Sequence, residues 1–276
     1  MFIDQLTELE QDRLLTMTAV IYRHYRSPGQ VRVSGSGVEA QYAQLLPTDW
    51  YLTINRCDAP FSLVGISESI RHLAVIDSAG LSDLRGLPAS VQILTLLQCG
   101  ALASMAHLPQ GLTRLQIGTC PLLKWEPTLL PDGLVSLKLS DQTDVDSLSS
   151  IPGSVETLTL NRVTPLPELA DLPEGLIRLD LDNLRQITDL RGLPTDLVTL
   201  WVGGCPAIKT LPLRSQLQEL FLAPQASYQV YMPDEQTLIE GRTVSSGAEY
   251  LALRAEVERH VLSRKKRPPT ERDLAG

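Results

Sequence analysis

Four cysteines are the residues of this chain best suited to metal or redox chemistry: Cys57, Cys99, Cys120 and Cys205. Thiolates ligate metal ions and form redox pairs when they lie close together. All four, however, occupy the same place in a recurring sequence unit, and Cys99 and Cys120 lie one unit apart. Their Cα spacing would permit a disulfide, but parallel Cβ directions on stacked units would oppose it. We expect a ladder of buried free thiols.

The histidines and carboxylates suggest no catalytic set. The four histidines fall in different predicted elements: His24, His72, His107 and His260. They lack the Cys/His/Asp spacing of a zinc site. Asp180 and Asp182 alternate along one predicted strand and therefore share a face. Such a pair can act as acid and base, but without a neighbouring base it is more typical of a binding surface. We predict no cofactor, no metal and no enzymatic activity.

A repeated unit sets the positions of these residues. Its general form is L-P-x-x-L-x-x-L-x-L-x-x-C, as in LPTDLVTLWVGGC at 193–205. The prolines at 88, 109, 131, 152, 173 and 194 are 21, 22, 21, 21 and 21 residues apart. Degenerate units open at Leu46-Pro47, at Ile66-Ser67 and at Leu213-Arg214, which makes nine units of about 21 residues between about 46 and 225. A period in this range is the signature of a solenoid.

Each unit has the pattern of one strand followed by an extended return. In Leu176, Leu179 and Leu181, for example, the last two apolar residues alternate with a variable one, which is typical of a strand buried on one face. The L-P step disfavours helix. We therefore predict an α/β solenoid, a leucine-rich-repeat horseshoe. It has a parallel concave sheet, an extended or polyproline-like convex side, and helical N- and C-terminal caps.

The segments outside the repeats are predicted to cap the solenoid. Residues 1–45 form the N-terminal cap, with a helix over 4–26 that covers the repeat core or binds a partner, and a linker turn over 29–45. Residues 226–276 form the C-terminal cap, with a strand-loop segment and then a helix over 247–266. The basic run from Arg264 to Arg267 is either a localisation or acidic-surface motif, or a solvated helix end.

Composition narrows the classes of partner. The 276 residues are 43% hydrophobic and carry a net charge of −8, which argues against nucleic acid. No apolar run is long enough for a membrane span, and no Sec-type signal peptide is visible. We therefore expect a cytoplasmic monomer with reduced thiols.

The variable positions of the inner strand face are the candidate binding residues. Trp201 and Phe221 fall on adjacent units at the central position and predict an exposed aromatic pair; the alternative is that both pack beneath the C-terminal cap. The polar candidates near them or along the same face are Arg178, Asp180, Asp182, Arg114 and Lys138. Trp and Arg are enriched among interface hot spots. Three further residues predict a second, weaker apolar patch: Ile76, Ile93 and Leu97.

The repeat resembles that of bacterial type III secretion effectors of the IpaH/YopM kind. The units LPEGLIRLDL (172–181) and LPDGLVSLKL (130–139) carry this resemblance, which covers about residues 46–222. It implies a protein-interaction module with a concave binding face, delivered into a host cell as a virulence factor. Some of these effectors add a ubiquitin-ligase domain with a Cys-x-Asp motif, which this sequence lacks. The alternative function is substrate recognition for a ubiquitin ligase or another enzyme complex.

Overall fold

The repeats stack into one sheet of 11 strands in the computed structural model, which describes residues 20–23, 29–166, 168–214, 216–223, 227–232 and 237–265. The strands of this sheet are β1 (Val20–Arg23), β2 (Gln30–Ser34), β3 (Tyr51–Asn55), β4 (His72–Ile76), β5 (Ile93–Leu97), β6 (Arg114–Gly118), β7 (Ser136–Ser140), β8 (Thr157–Asn161), β9 (Arg178–Asp182), β10 (Thr199–Gly203) and β12 (Glu219–Leu222). They lie in chain order, with β12 beside β10. From β2 onward every neighbouring pair is parallel. The predicted leucine-rich-repeat solenoid is confirmed.

Equivalent residues of successive units lie side by side. Leu73 pairs with Leu94, and Leu94 with Leu115, so each apolar position of the repeat becomes a column across the sheet. From β3 to β10, the strand side chains in these columns are at most 2% exposed. Because a slip of one residue would turn every leucine to the opposite face, the buried face determines this register. The core is one continuous cluster that no single unit could form.

The residue directly after each of the strands β3 to β10 adopts a left-handed backbone conformation. Seven of these are not glycine and have φ between 49° and 55°: Arg56, Asp77, Gln98, Thr119, Asp141, Arg162 and Asn183. Gly204 continues the series with φ of 59°. This conformation is unfavourable for most residues, so its recurrence shows that the sheet imposes one turn geometry on the units that contain β3 to β10. The turn directs the next residue into the core, and this column contains all four cysteines.

The outer side is made of turns and extended segments. Between β3 and β12, the only helix among the described residues is a short 3-10 helix, Pro127–Leu129. It lies in the 22-residue unit between Pro109 and Pro131 and accommodates the extra residue. The Leu-Pro step explains the absence of longer helices, because proline donates no backbone hydrogen bond and restrains the residue before it.

The N-terminal cap differs from its prediction. The helix over 4–26 is wrong at Val20–Arg23, which form β1 and pair antiparallel with β2; the remainder of that helix lies outside the described residues. The linker turn over 29–45 is also wrong in part, because it contains β2 and a short helix α1 (Glu39–Tyr42). The edge of a parallel sheet presents unpaired N–H and C=O groups, and β1 pairs those of β2. Edge pairing explains why a strand forms here.

The described part of the C-terminal segment contains strands and a helix, as predicted. A second sheet contains β11 (Thr210–Pro212), β13 (Tyr228–Met232) and β14 (Thr237–Val244), and helix α2 (Gly247–Lys265) follows. The β11 strand pairs with β13, so the last full repeat is joined directly to the cap. In α2, Tyr250 and Leu253 are buried against the end of the core. The basic run begins at the end of α2, and its last two residues lie outside the described part of the chain.

Candidate partner-binding face

Alternate residues of each strand form the concave face, the side of the large sheet opposite the leucine columns. Each of β2 to β10 contributes three residues to this face, its first, third and fifth, and β12 contributes Glu219 and Phe221. The residues are aligned by the strand register, so the predicted site residues fall into two groups along the sheet. Arg178, Asp180, Asp182, Trp201 and Phe221 lie together on β9, β10 and β12. A second pair, Arg114 and Lys138, lies on β6 and β7, whose strands are three or four steps from β10.

Trp201 and Phe221 form an exposed aromatic platform. Their rings stack with centroids 5.4 Å apart and an interplanar angle of 28°. Trp201 is 43% exposed and Phe221 is 44% exposed. The alternative prediction, in which both rings pack beneath the C-terminal cap, is therefore wrong. Helix α2 packs at the end of the core beside β12 and leaves the concave side of the two rings uncovered.

A glycine beside the platform makes room for the indole. A Cβ atom at Gly203 would lie 2.7 Å from Nε1 of Trp201 and 3.0 Å from Oδ1 of Asp182. The Trp201 side chain therefore leans along its own strand over Gly203, toward the Asp182 carboxylate on β9. The absence of a side chain at 203 sets the orientation of the exposed ring.

Arg178 and Asp180 form an ion pair next to the platform. The Arg178 Nε donates hydrogen bonds to both carboxylate oxygens of Asp180, at 3.0 and 3.1 Å. The Thr159 hydroxyl donates a further bond to Asp180 at 3.3 Å. Asp180 is thus engaged from two sides and is a fixed ion-pair partner of Arg178. This arrangement suits a preorganised binding surface better than a proton-transferring pair of carboxylates.

The N-terminal part of the concave face carries a second aromatic contact, which the sequence analysis missed. The rings of Tyr51 and His72 stack with centroids 4.1 Å apart and an interplanar angle of 13°. Burial lowers the pKa of His72, which favours its neutral form. Tyr51 lies 21 residues before His72 and pairs with it in the sheet, so the repeat spacing contained the signal. The predicted apolar patch of Ile76, Ile93 and Leu97 is half-buried beside this contact.

The cysteines form part of the buried column after the strands. This column consists of Cys57, Ser78, Cys99, Cys120, Gln142, Val163, Leu184 and Cys205, all buried. All four thiols are free, as predicted. Burial raises the pKa of Cys57 to about 11 and also raises that of Cys205. Hydrogen bonding to the Cys120 thiol, together with burial, raises the pKa of Cys99. Neutral thiols that donate to backbone carbonyls, such as Cys57 to Asn55 at 3.3 Å, fit a structural role.

In the described ranges, no three His, Cys, Asp or Glu side chains come together as a metal site would require. No helix of the described chain is long and apolar enough to cross a membrane. No family model, curated protein or solved structure matches this chain.

Proposed function

We propose that this protein binds a protein partner on its concave face, with the aromatic platform at the energetic centre of the contact. The observation that carries the proposal is the stacked, exposed pair of Trp201 and Phe221 on the strands β10 and β12. Large aromatic side chains have a strong tendency to be buried, and exposed aromatic residues are enriched at interface hot spots.

Preorganisation supports the same interpretation. The Trp201 indole lies over Gly203, and Arg178 and Asp180 form an ion pair beside it. A partner would therefore contact side chains that are already ordered. Binding to an ordered surface costs less conformational entropy than binding to a mobile one. Delivery into a host cell, which the resemblance implies, stays a prediction. Substrate recognition for a ubiquitin ligase or another enzyme complex stays the alternative prediction.

Affinity capture with matched variants tests the proposal. Wild-type protein is compared with Trp201→Ala/Phe221→Ala and with the control Val64→Ala/Leu122→Ala, whose two residues are 62% and 61% exposed and lie outside the strands. We expect a protein that wild type and control both capture and that the platform variant loses. With that protein purified, the platform variant should bind at least ~30-fold more weakly. Equal capture by all three would refute the proposal.

A further inference from the structure

The charges of the concave face are segregated along the sheet. The six strands β2 to β7 supply three concave positions each, 18 in all, and none of these is Asp or Glu. They include three exposed cations: Arg32, Arg114 and Lys138. The remaining strands carry three carboxylates, Asp180, Asp182 and Glu219, and one guanidinium, that of Arg178. The chain has 32 acidic side chains among 276 residues, so about two would be expected at 18 positions, and these positions have none.

Several charges outside the concave face are paired within the chain. At the strand ends, Arg162 donates to Asp141 at 2.5 Å across neighbouring units. Within the turns, Arg85 pairs with Asp83 at 2.7 Å. On the concave face, by contrast, the described residues form no ion pair with Arg114, Lys138 or Asp182. These three charges lie where a partner would meet them.

We infer that the partner presents a charge-ordered segment, with carboxylates over β6 and β7 and a basic, apolar end over the aromatic platform. The inference rests on the proposed function and adds the chemistry and direction of the bound segment. A cation at the platform end would meet the indole face and the carboxylates of Asp182 and Glu219. Aromatic rings attract cations, and complementary charge selects both partner and register.

The strand spacing sets the length of this segment. Neighbouring strands lie about 4.8 Å apart, so the three steps from Lys138 on β7 to Trp201 on β10 span roughly 14 Å, and the four from Arg114 roughly 19 Å. An extended chain covers that span with about four to six residues, and a helix with about ten to thirteen. The opposite orientation would place carboxylates against Asp182 and Glu219, which like-charge repulsion disfavours.

Two synthetic peptides of identical composition test the inference. The ordered peptide has a block of three glutamates, a short Gly-Ser spacer and the block Leu-Arg-Leu-Arg. The alternating peptide intersperses the same residues. We expect wild-type protein to bind the ordered peptide about ten-fold more tightly at low salt, with the preference shrinking as salt screens the charges.

Charge-reversal variants and a spin-labelled peptide establish the direction in which the peptide lies on the sheet. Arg114→Glu/Lys138→Glu and Asp182→Lys/Glu219→Lys should each abolish the preference, whereas the off-face control Lys124→Glu/Glu174→Lys should keep it. A nitroxide on the basic end should broaden the Trp201 indole N–H signal in wild type. In the variant with all four reversals, a nitroxide on the acidic end should do so instead. If a reversed variant does not fold, Asp182→Asn/Glu219→Gln should still abolish the preference.

Equal binding of the two peptides, binding of neither, or broadening by both labelled ends would overturn the inference. Its failure is separable from that of the proposed function. If Trp201→Ala/Phe221→Ala loses the captured partner while peptide order has no effect, only the charge-ordered segment is refuted. If capture is also unchanged, both proposals fall.

Discussion

The hydroxyl of Tyr250 donates a hydrogen bond to the carbonyl oxygen of Pro212 at 2.8 Å and thereby joins helix α2 to strand β11. The Tyr250 hydroxyl oxygen also accepts a hydrogen bond from the backbone N–H of Arg214, again at 2.8 Å. Tyr250 is fully buried. One side-chain atom therefore satisfies two backbone groups at the point where the repeats give way to the cap, and this contact closes the end of the core.

Replacing Tyr250 by Phe should lower the free energy of unfolding by about 1–3 kcal/mol, because it leaves a buried donor and a buried acceptor without their partner. Urea denaturation followed by circular dichroism measures the loss. The control is Tyr51→Phe on the concave face, which should change stability by less than about 0.5 kcal/mol. Equal stability of Tyr250→Phe and wild type would show that the cap contact contributes nothing.

Buried and exposed apolar side chains of the same repeat should respond differently to truncation to alanine. Leu179→Ala removes a fully buried side chain from β9, and we expect a loss of about 2–5 kcal/mol through cavity formation. Ile177→Ala truncates a neighbour that is 45% exposed, and it should cost less than about 0.5 kcal/mol. Denaturant unfolding measures both losses. Similar losses for the two variants would contradict the assignment of buried and exposed columns.

Gly203→Ala should displace the Trp201 indole without unfolding the protein. The added Cβ would meet the indole nitrogen at 2.7 Å, and a side-chain ring can move where backbone could not. Fluorotryptophan NMR should show a shifted Trp201 signal, and affinity for the captured partner should fall. Gly153→Ala is the control, because an added Cβ there meets no atom within 4 Å. An unshifted Trp201 signal would refute the proposed role of Gly203.

The free energy of unfolding should decline at alkaline pH because the buried Cys57 thiol loses its proton more readily in the unfolded chain. Burial raises the pKa of this thiol from its ordinary value of 9.0 to about 11 in the folded protein. Between these values the unfolded chain has released the proton that the folded chain retains, so stability falls as pH rises. Free energies of unfolding at about pH 8 and about pH 10.5 should therefore differ more for wild type than for Cys57→Ala. Parallel changes in the two proteins would contradict the raised pKa.

Most of the repeat region could be predicted from spacing alone. The alternation in Leu179 and Leu181 identified a one-sided strand, and the 21-residue period aligned it with its neighbours, because each unit packs on the next in the same way. Those two facts placed Trp201 and Phe221 on one face and on adjacent strands. They also identified the cysteine column as buried.

The ends of the solenoid required the tertiary structure. Strand β1 forms because the edge of the sheet offers hydrogen bonds, which local sequence preference does not register. Likewise, Trp201 and Phe221 stay exposed in a structure where α2 packs at the end of the core beside β12. The contact of Tyr250 with Pro212, which joins α2 to β11, links residues 38 positions apart. The repeating interior could thus be predicted, because each residue's environment recurs about every 21 residues. The caps and the exposure of the aromatic platform could not, because these depend on single contacts between segments that do not repeat.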